Sequence, residues 1–178
     1  FDMAAFHGVN PRTGSASGVV GTNHFDNKVT QTVPYAAATC DENLDAIIAA
    51  VQGSDGDVTG IALSNTMGAD MAKIKVNGVR QYPEFRFGAS PASLGGMAVD
   101  VNKTVYNGTV KDHAIVGDFQ NAFKWGFAKQ IPLEIIPYGD PDNSGKDLKG
   151  YNQVYLRAEV YIGWGILVPA FFGRVVES

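Results

Sequence analysis

"AFKWGFAKQIPLEIIPY", residues 122–138, is the stretch on which the fold turns. Phe123, Trp125, Phe127, Ile131, Leu133 and Ile135 share one parity, and Lys124, Gly126, Ala128, Gln130 and Glu134 share the other. A period of two belongs to an extended strand, because successive side chains of a strand point to opposite faces. After the polar "GDPDNSGKDLKG" (139–150) a second alternating run follows, "NQVYLRAEVYIGWGILVPAFF" (152–172). Two long strands joined by a Gly/Asp-rich loop predict a long antiparallel hairpin, with Trp125 and its aromatic neighbours as core.

Upstream the period changes. In "TCDENLDAIIAAVQGSDG" (39–56), Leu44, Ile47, Ile48 and Val51 fall at i, i+3, i+4 and i+7, which predicts a helix of about three turns. Thr39 and Glu42 have capping-box spacing, and Gly53 supplies a stop. "VTGIAL" (58–63) reads as a strand, followed by a helix over "SNTMGADMAKIK" (64–75) with Ser64 as N-cap. "GMAVDVNKTV" and "AIVGDF" are further strands, and "NKVTQTVPY" is a strand that Pro34 ends or places at an edge. Residues 79–93 and the Gly/Ser-rich "FHGVNPRTGSASGVVG" (6–21) read as surface loops. The fold class is α+β.

At 178 residues the chain buries a real core. Its 14 basic residues are scattered and the net charge is −4, so there is no basic stripe for nucleic acid. A single cysteine, Cys40, excludes an internal disulfide and cysteine-rich metal clusters. With 18% charged residues and 21 glycines, electrostatic protection against self-association is low. The apolar run "YIGWGILVPAFFG" (161–173) is too short and too broken to cross a bilayer as a helix. No signal-peptide pattern is visible, and the Phe start suggests either that the start was removed or that this is part of a longer chain.

Residues with chemical potential are few. His113 and Asp118 would form a hydrolytic acid/base pair, but an odd offset on one strand sends them to opposite faces, with His113 at a strand edge and Asp118 in a turn. Asp140, Asp142, Ser144 and Gly145 imitate the first half of a calcium loop, yet Tyr151 stands where the bidentate Glu belongs, so the stretch reads as a hairpin tip. Cys40 at a helix N-terminus reads as a packed thiol, and Ser64 has no nucleophile-elbow frame. His7 and His24 share no metal-ligand spacing. Asn102 and Asn107 match the glycosylation pattern by chance, and "GSASGVVG" lacks the ending of a phosphate loop. No catalytic set, cofactor or metal is expected.

The order of several motifs resembles the major capsid proteins of tailed bacteriophages, the Hong Kong 97-type fold. "FHGVNPRTGSASGVVG" is similar to that family's "HG…G…P.G" segment, and "DENLDAIIAAV" with "GIALSNTMGADMAKIK" to its helix, strand and second helix, with Thr66 where many members have Pro. "AIVGDFQNAFKWGFAKQIPLEII" resembles its "GDF" strand pair, and "NQVYLRAEVYIGWGILVPAFFGRVV" its terminal "RAE.R.G..V..P.AF" signature, with Tyr161 in place of Arg.

The resemblance implies the C-terminal portion of a capsid subunit, without the N-terminal arm, extended loop and spine helix. Residues 1–35 would finish the peripheral domain and connect it onward. Residues 36–126 would form an axial domain of mixed sheet and two helices, 127–160 the peripheral hairpin, and 161–178 the strand returning to the axial domain. It implies an icosahedral head shell around a genome, assembled in the bacterial cytoplasm from identical subunits in pentamers and hexamers. Scaffold and portal proteins would be further partners, with no membrane and no sequence-specific nucleic acid. An encapsulin-like compartment shell is the alternative. By resemblance, Asn152 and Glu159 fall on the acceptor and promoting carboxylate of cross-linking members. The chain alone is expected to stay monomeric or form small oligomers.

Overall fold

The computed structural model describes residues 1–106, 108 and 111–177, with backbone alone at Gln130 and Ile131. In order come helices α1 (Asp2–His7) and α2 (Phe25–Lys28), strand β1 (Thr32–Pro34), helix α3 (Cys40–Gln52), strand β2 (Gly60–Leu63) and helix α4 (Asn65–Met71). Strands β3 (Lys75–Val76), β4 (Val79–Arg80), β5 (Ser93–Leu94), β6 (Met97–Val101), β7 (Asp112–Gly117), β8 (Phe123–Ile136), β9 (Tyr155–Ile166) and β10 (Phe172–Val176) complete the chain. Two compact units result, Phe1–Lys124 with Gly165–Ser178, and Trp125–Trp164.

The first unit is built on a six-stranded sheet of order β1-β10-β7-β2-β6-β5. The β1/β10 and β2/β6 pairs are parallel, and β10/β7, β7/β2 and β6/β5 are antiparallel. Strand parity sorts its residues into two cores. Ile61, Leu63, Ala114, Val116 and Val175 pack with Cys40, Leu44 and Ile47 of α3 and with Met67 and Met71 of α4. The intervening Ala62, Ile115 and Phe172 pack on the other side with Phe25, Val29, Val105 and Ala122.

Helix α3 forms where its apolar spacing predicts, and Leu44, Ile47 and Val51 are buried. The expected capping box is absent: Thr39 makes no side-chain cap bond, and a 3-10 turn at Ala37–Thr39 leads into the helix. Ser64 does cap α4, its hydroxyl oxygen accepting from Met67 N at 3.1 Å. Residues 8–21 form the expected loop, with short helices α1 and α2 on either side of it, and β1 begins only at Thr32. A 3-10 turn over Pro83–Gly88 buries Phe85, so residues 79–93 are partly structured.

Gly173 is where helix and sheet meet most closely. A Cβ there would stand 2.5 Å from the Ile47 side chain and 3.3 Å from Val51. Gly173→Ala is therefore expected to lower the unfolding free energy by about 1–3 kcal/mol through overpacking. Gly126→Ala, with open space around it, should stay within about 0.5 kcal/mol. Urea titration of both variants checks the contrast.

Candidate functional site

The second unit is a two-stranded ribbon of β8 and β9 with the loop between them. A two-stranded sheet brings no second layer of its own, so an apolar row on it has nothing to pack under. Trp125, expected in the core, is 57% exposed, and Phe127, Leu133 and Ile135 on the same parity are exposed as well. The alternation is real, but it marks a face rather than an interior. Leu156, Val160 and Tyr161 add exposed apolar area on β9, while Leu148 in the loop is the buried apolar residue among those described in the unit. Exposed apolar area of this kind is characteristic of association sites.

The loop folds on itself. Asp140 accepts from Gly145 N at 2.7 Å, Ser144 N at 2.9 Å and Ser144 Oγ at 3.3 Å, and Asp142 also accepts from Ser144 N. Desolvation works against ionisation, but these donors and Asp142 together hold the Asp140 carboxyl below the usual range. The oxygens offered by the calcium-like spacing thus tie down a turn. Asn152 lies just before β9 at φ 55° and Glu159 lies on β9. Glu159 accepts from Arg157 Nε at 2.6 Å, and no hydrogen bond joins it to Asn152.

His113 and Asp118 do not meet. Contrary to the edge expected for it, His113 lies in β7, an interior strand of the sheet, and is 3% exposed. The β7/β10 register slips here: Val175 faces Ala114 and Val176 faces Asp112, so His113 is the extra residue of a bulge. Its ring stacks on Tyr35 at 3.6 Å, and Nδ1 lies 3.3 Å from Ser64 Oγ. Burial is the main reason its pKa falls below the ordinary value. A serine beside a histidine is suggestive, but Ser64 is fully buried and its oxygen is engaged as the α4 cap. Asp118 turns the chain after β7. Its Oδ1 accepts from Asn121 N at 3.0 Å and from Thr59 Oγ1 at 3.4 Å, and these bonds outweigh burial to lower its pKa.

Cys40 is fully buried, and burial, with the charges of Asp41 and Asp70, pushes its thiol up to about 11. Asn102 Oδ1 accepts from Thr104 N, and Asn107 lies outside the described residues. An apolar-lined groove of about 380 Å³ runs past Phe6, Ile61, Val99, Val105 and Phe119. No helix among the described residues is long and apolar enough to cross a membrane.

One group escaped the sequence reading. His7, Asp26 and Asp112 place one ligand-type atom each within 4.8 Å of the others. Arg174 brings a permanent positive charge to them: its Nη1 bonds Asp26 Oδ1 at 2.9 Å and both oxygens of Asp112 at 3.1 Å. The available signal was a charge inside an apolar strand: Arg174 in "FFGRVV" and Asp112 opening "DHAIVG".

Comparison with known proteins adds three solved structures. A chain from Mycobacterium phage Ogopogo is 31% identical, with a TM-score of 0.86 over 99% of this chain and 62% of its own. One from Gordonia phage Cozz is 27% identical, with a TM-score of 0.82 over 99% of this chain and 58% of its own. The capsid of an empty GTA particle shares the fold at 16% identity, with a TM-score of 0.64 over 99% of this chain and 60% of its own. The chain thus spans about 60% of their length. No family model matches the sequence, and no curated protein does.

His113→Ala should behave as a packing defect. Removing a ring held between Tyr35 and Ser64 is expected to cost about 2–4 kcal/mol. A scanning calorimeter would register the lower melting temperature; an unchanged one contradicts this placement.

Proposed function

We propose that the chain belongs to the tailed-bacteriophage major capsid family of the Hong Kong 97 type and forms part of the head shell. Self-association of identical subunits into a closed icosahedral container is its activity. The observation that carries the reading is the 0.86 TM-score at 31% identity over 99% of the chain. The exposed apolar face of the ribbon supports it independently, since a shell subunit works through surfaces that copies of itself cover. On this reading the first unit is the axial domain and the ribbon belongs to the peripheral domain. The role is structural, and the buried Ser64 and His113 are scaffold. The shell would enclose the genome, form in the host cytoplasm, and involve scaffold and portal proteins as further partners. Asn152 and Glu159 are proposed as cross-link positions, with Arg157 holding the Glu159 carboxylate.

A specific protein–protein interface buries roughly 1,200–2,000 Å², so a few large side chains matter greatly to it. Phe127→Asp combined with Leu133→Asp should abolish particles when the complete reading frame containing this chain is expressed. Thermal unfolding of the first unit should remain as in wild type. Negative-stain electron microscopy of the unsubstituted protein is expected to show closed shells holding nuclease-protected nucleic acid. Shells with protein cargo and no nucleic acid would favour the compartment alternative. Dispersed monomers, or shells that tolerate both aspartates, would overturn the proposal.

A further inference from the structure

We infer that His7, Asp26, Asp112 and Arg174 form a proton-operated latch, which holds α1 and α2 against the six-stranded sheet in mildly acidic solution and releases them as the solution turns alkaline. This inference is independent of the shell reading. It begins with hydrogen-bond geometry. His7 Nδ1 lies 2.8 Å from Asp26 Oδ2, and Nε2 lies 2.8 Å from the Thr104 carbonyl oxygen. Both partners are acceptors. A neutral imidazole has one N–H and one lone pair, so it would satisfy one contact and set a lone pair against an oxygen in the other. The arrangement is satisfied only by the imidazolium.

That buried cation sits in a polar chain running from α1 to the Asp26 carboxylate on α2, then to the Arg174 guanidinium on β10 and the Asp112 carboxyl on β7. The segment after β6 contributes the Thr104 carbonyl, and His24 lies just before α2. His24, its pKa lowered chiefly by burial, adds no competing cation at neutral pH. Helices α1 and α2 have six and four residues, far below the length at which a helix stands alone in water. They persist because they dock. Phe6 packs edge-on to Phe25 at 5.5 Å and Phe25 to Phe172 at 4.9 Å, and the ionic chain supplies the polar half of the attachment.

The direction of the pH response follows from the two groups that titrate. Burial opposes the charge on His7, but the Asp26 hydrogen bond and charge, the Thr104 carbonyl and Asp112 raise its pKa above 6.5. Its contribution is therefore whole below pH 6.5 and disappears as pH climbs through the folded value. Burial also lifts the Asp112 carboxyl to about 7, Arg174 opposing and Asp26 adding. From its ordinary 3.8 up to about 7 the folded chain keeps a proton that the unfolded chain has lost, so stability falls across that window too. Desolvation of Asp26 is outweighed by His7, Asp112 and Arg174, which lower its pKa, so its contribution fails only in strong acid.

Backbone hydrogen exchange of the 178-residue chain, corrected for intrinsic rates, tests the latch. Between pH 6 and pH 9 the α1 and α2 amides should lose protection as His7 gives up its proton. Amides of α3 should hold level. Asp112→Asn, which keeps the shape and removes the titration, should flatten the fall in melting temperature between pH 4 and 7. Carbon-13 spectra followed against pH should place the His7 titration above 6.5. A His7 titration at or below 6.5, or level protection of α1 and α2 from pH 6 to 9, would sink the inference.

Discussion

Two neighbouring strands in the middle of the larger sheet have to serve both of its faces at once. In β10, Phe172 and Arg174 point toward the side carrying α1 and α2, and Gly173 and Val175 point toward α3. In β7, Ala114 and Val116 join the α3 side and Ile115 the other. Every residue here is committed, because the alternation of an extended chain leaves no spare position. A side chain at Gly173 collides with Ile47, and a shift by one residue would carry the Arg174 guanidinium into an apolar layer. The bulge at His113 relieves the constraint once, bringing Asp112 to Arg174 while His113 turns to Tyr35 and Ser64.

Elements with a strong local period were legible in the sequence. Helix α3 and the long strands β8 and β9 lie where spacing alone put them, and the α+β class followed from the change of period. Long-range features were not. Nothing near His113 says that β7 will sit between β10 and β2, so a residue expected at a strand edge is buried inside the sheet. The bulge has no local signature either. Trp125 failed for a different reason: aromatic residues are usually buried, and the rule holds only when the chain provides a covering layer. The buried ionic group draws one residue each from positions 7, 26, 112 and 174, and no spacing rule joins residues so far apart. The odd charge within each apolar strand was the one hint on offer.

The residues that first look reactive turn out to be fixed by architecture. Ser64 caps a helix, Asp118 closes a turn, Asp140 orders a loop and Cys40 is sealed in the core. Each spends its hydrogen-bonding capacity or its accessibility on the fold. What stays available to other molecules is area, chiefly the ribbon's apolar face. The proposed function draws on that area, since a shell subunit works through surfaces that copies of itself cover.

The parallel pairing of β1 with β10 also dictates an order of events during synthesis. The first strand of the larger sheet has to wait for the last, since β10 separates β1 from β7 and nothing else fills that gap. While the ribosome works through the intervening sequence, β1 lacks its neighbour and β7 has one exposed border. The ribbon between them emerges earlier and closes by contacts between nearby residues, which form faster than distant ones. Completion of the larger unit is therefore postponed until its final strand is free of the exit tunnel, so a ribosome that stalls late yields a finished hairpin attached to an open sheet.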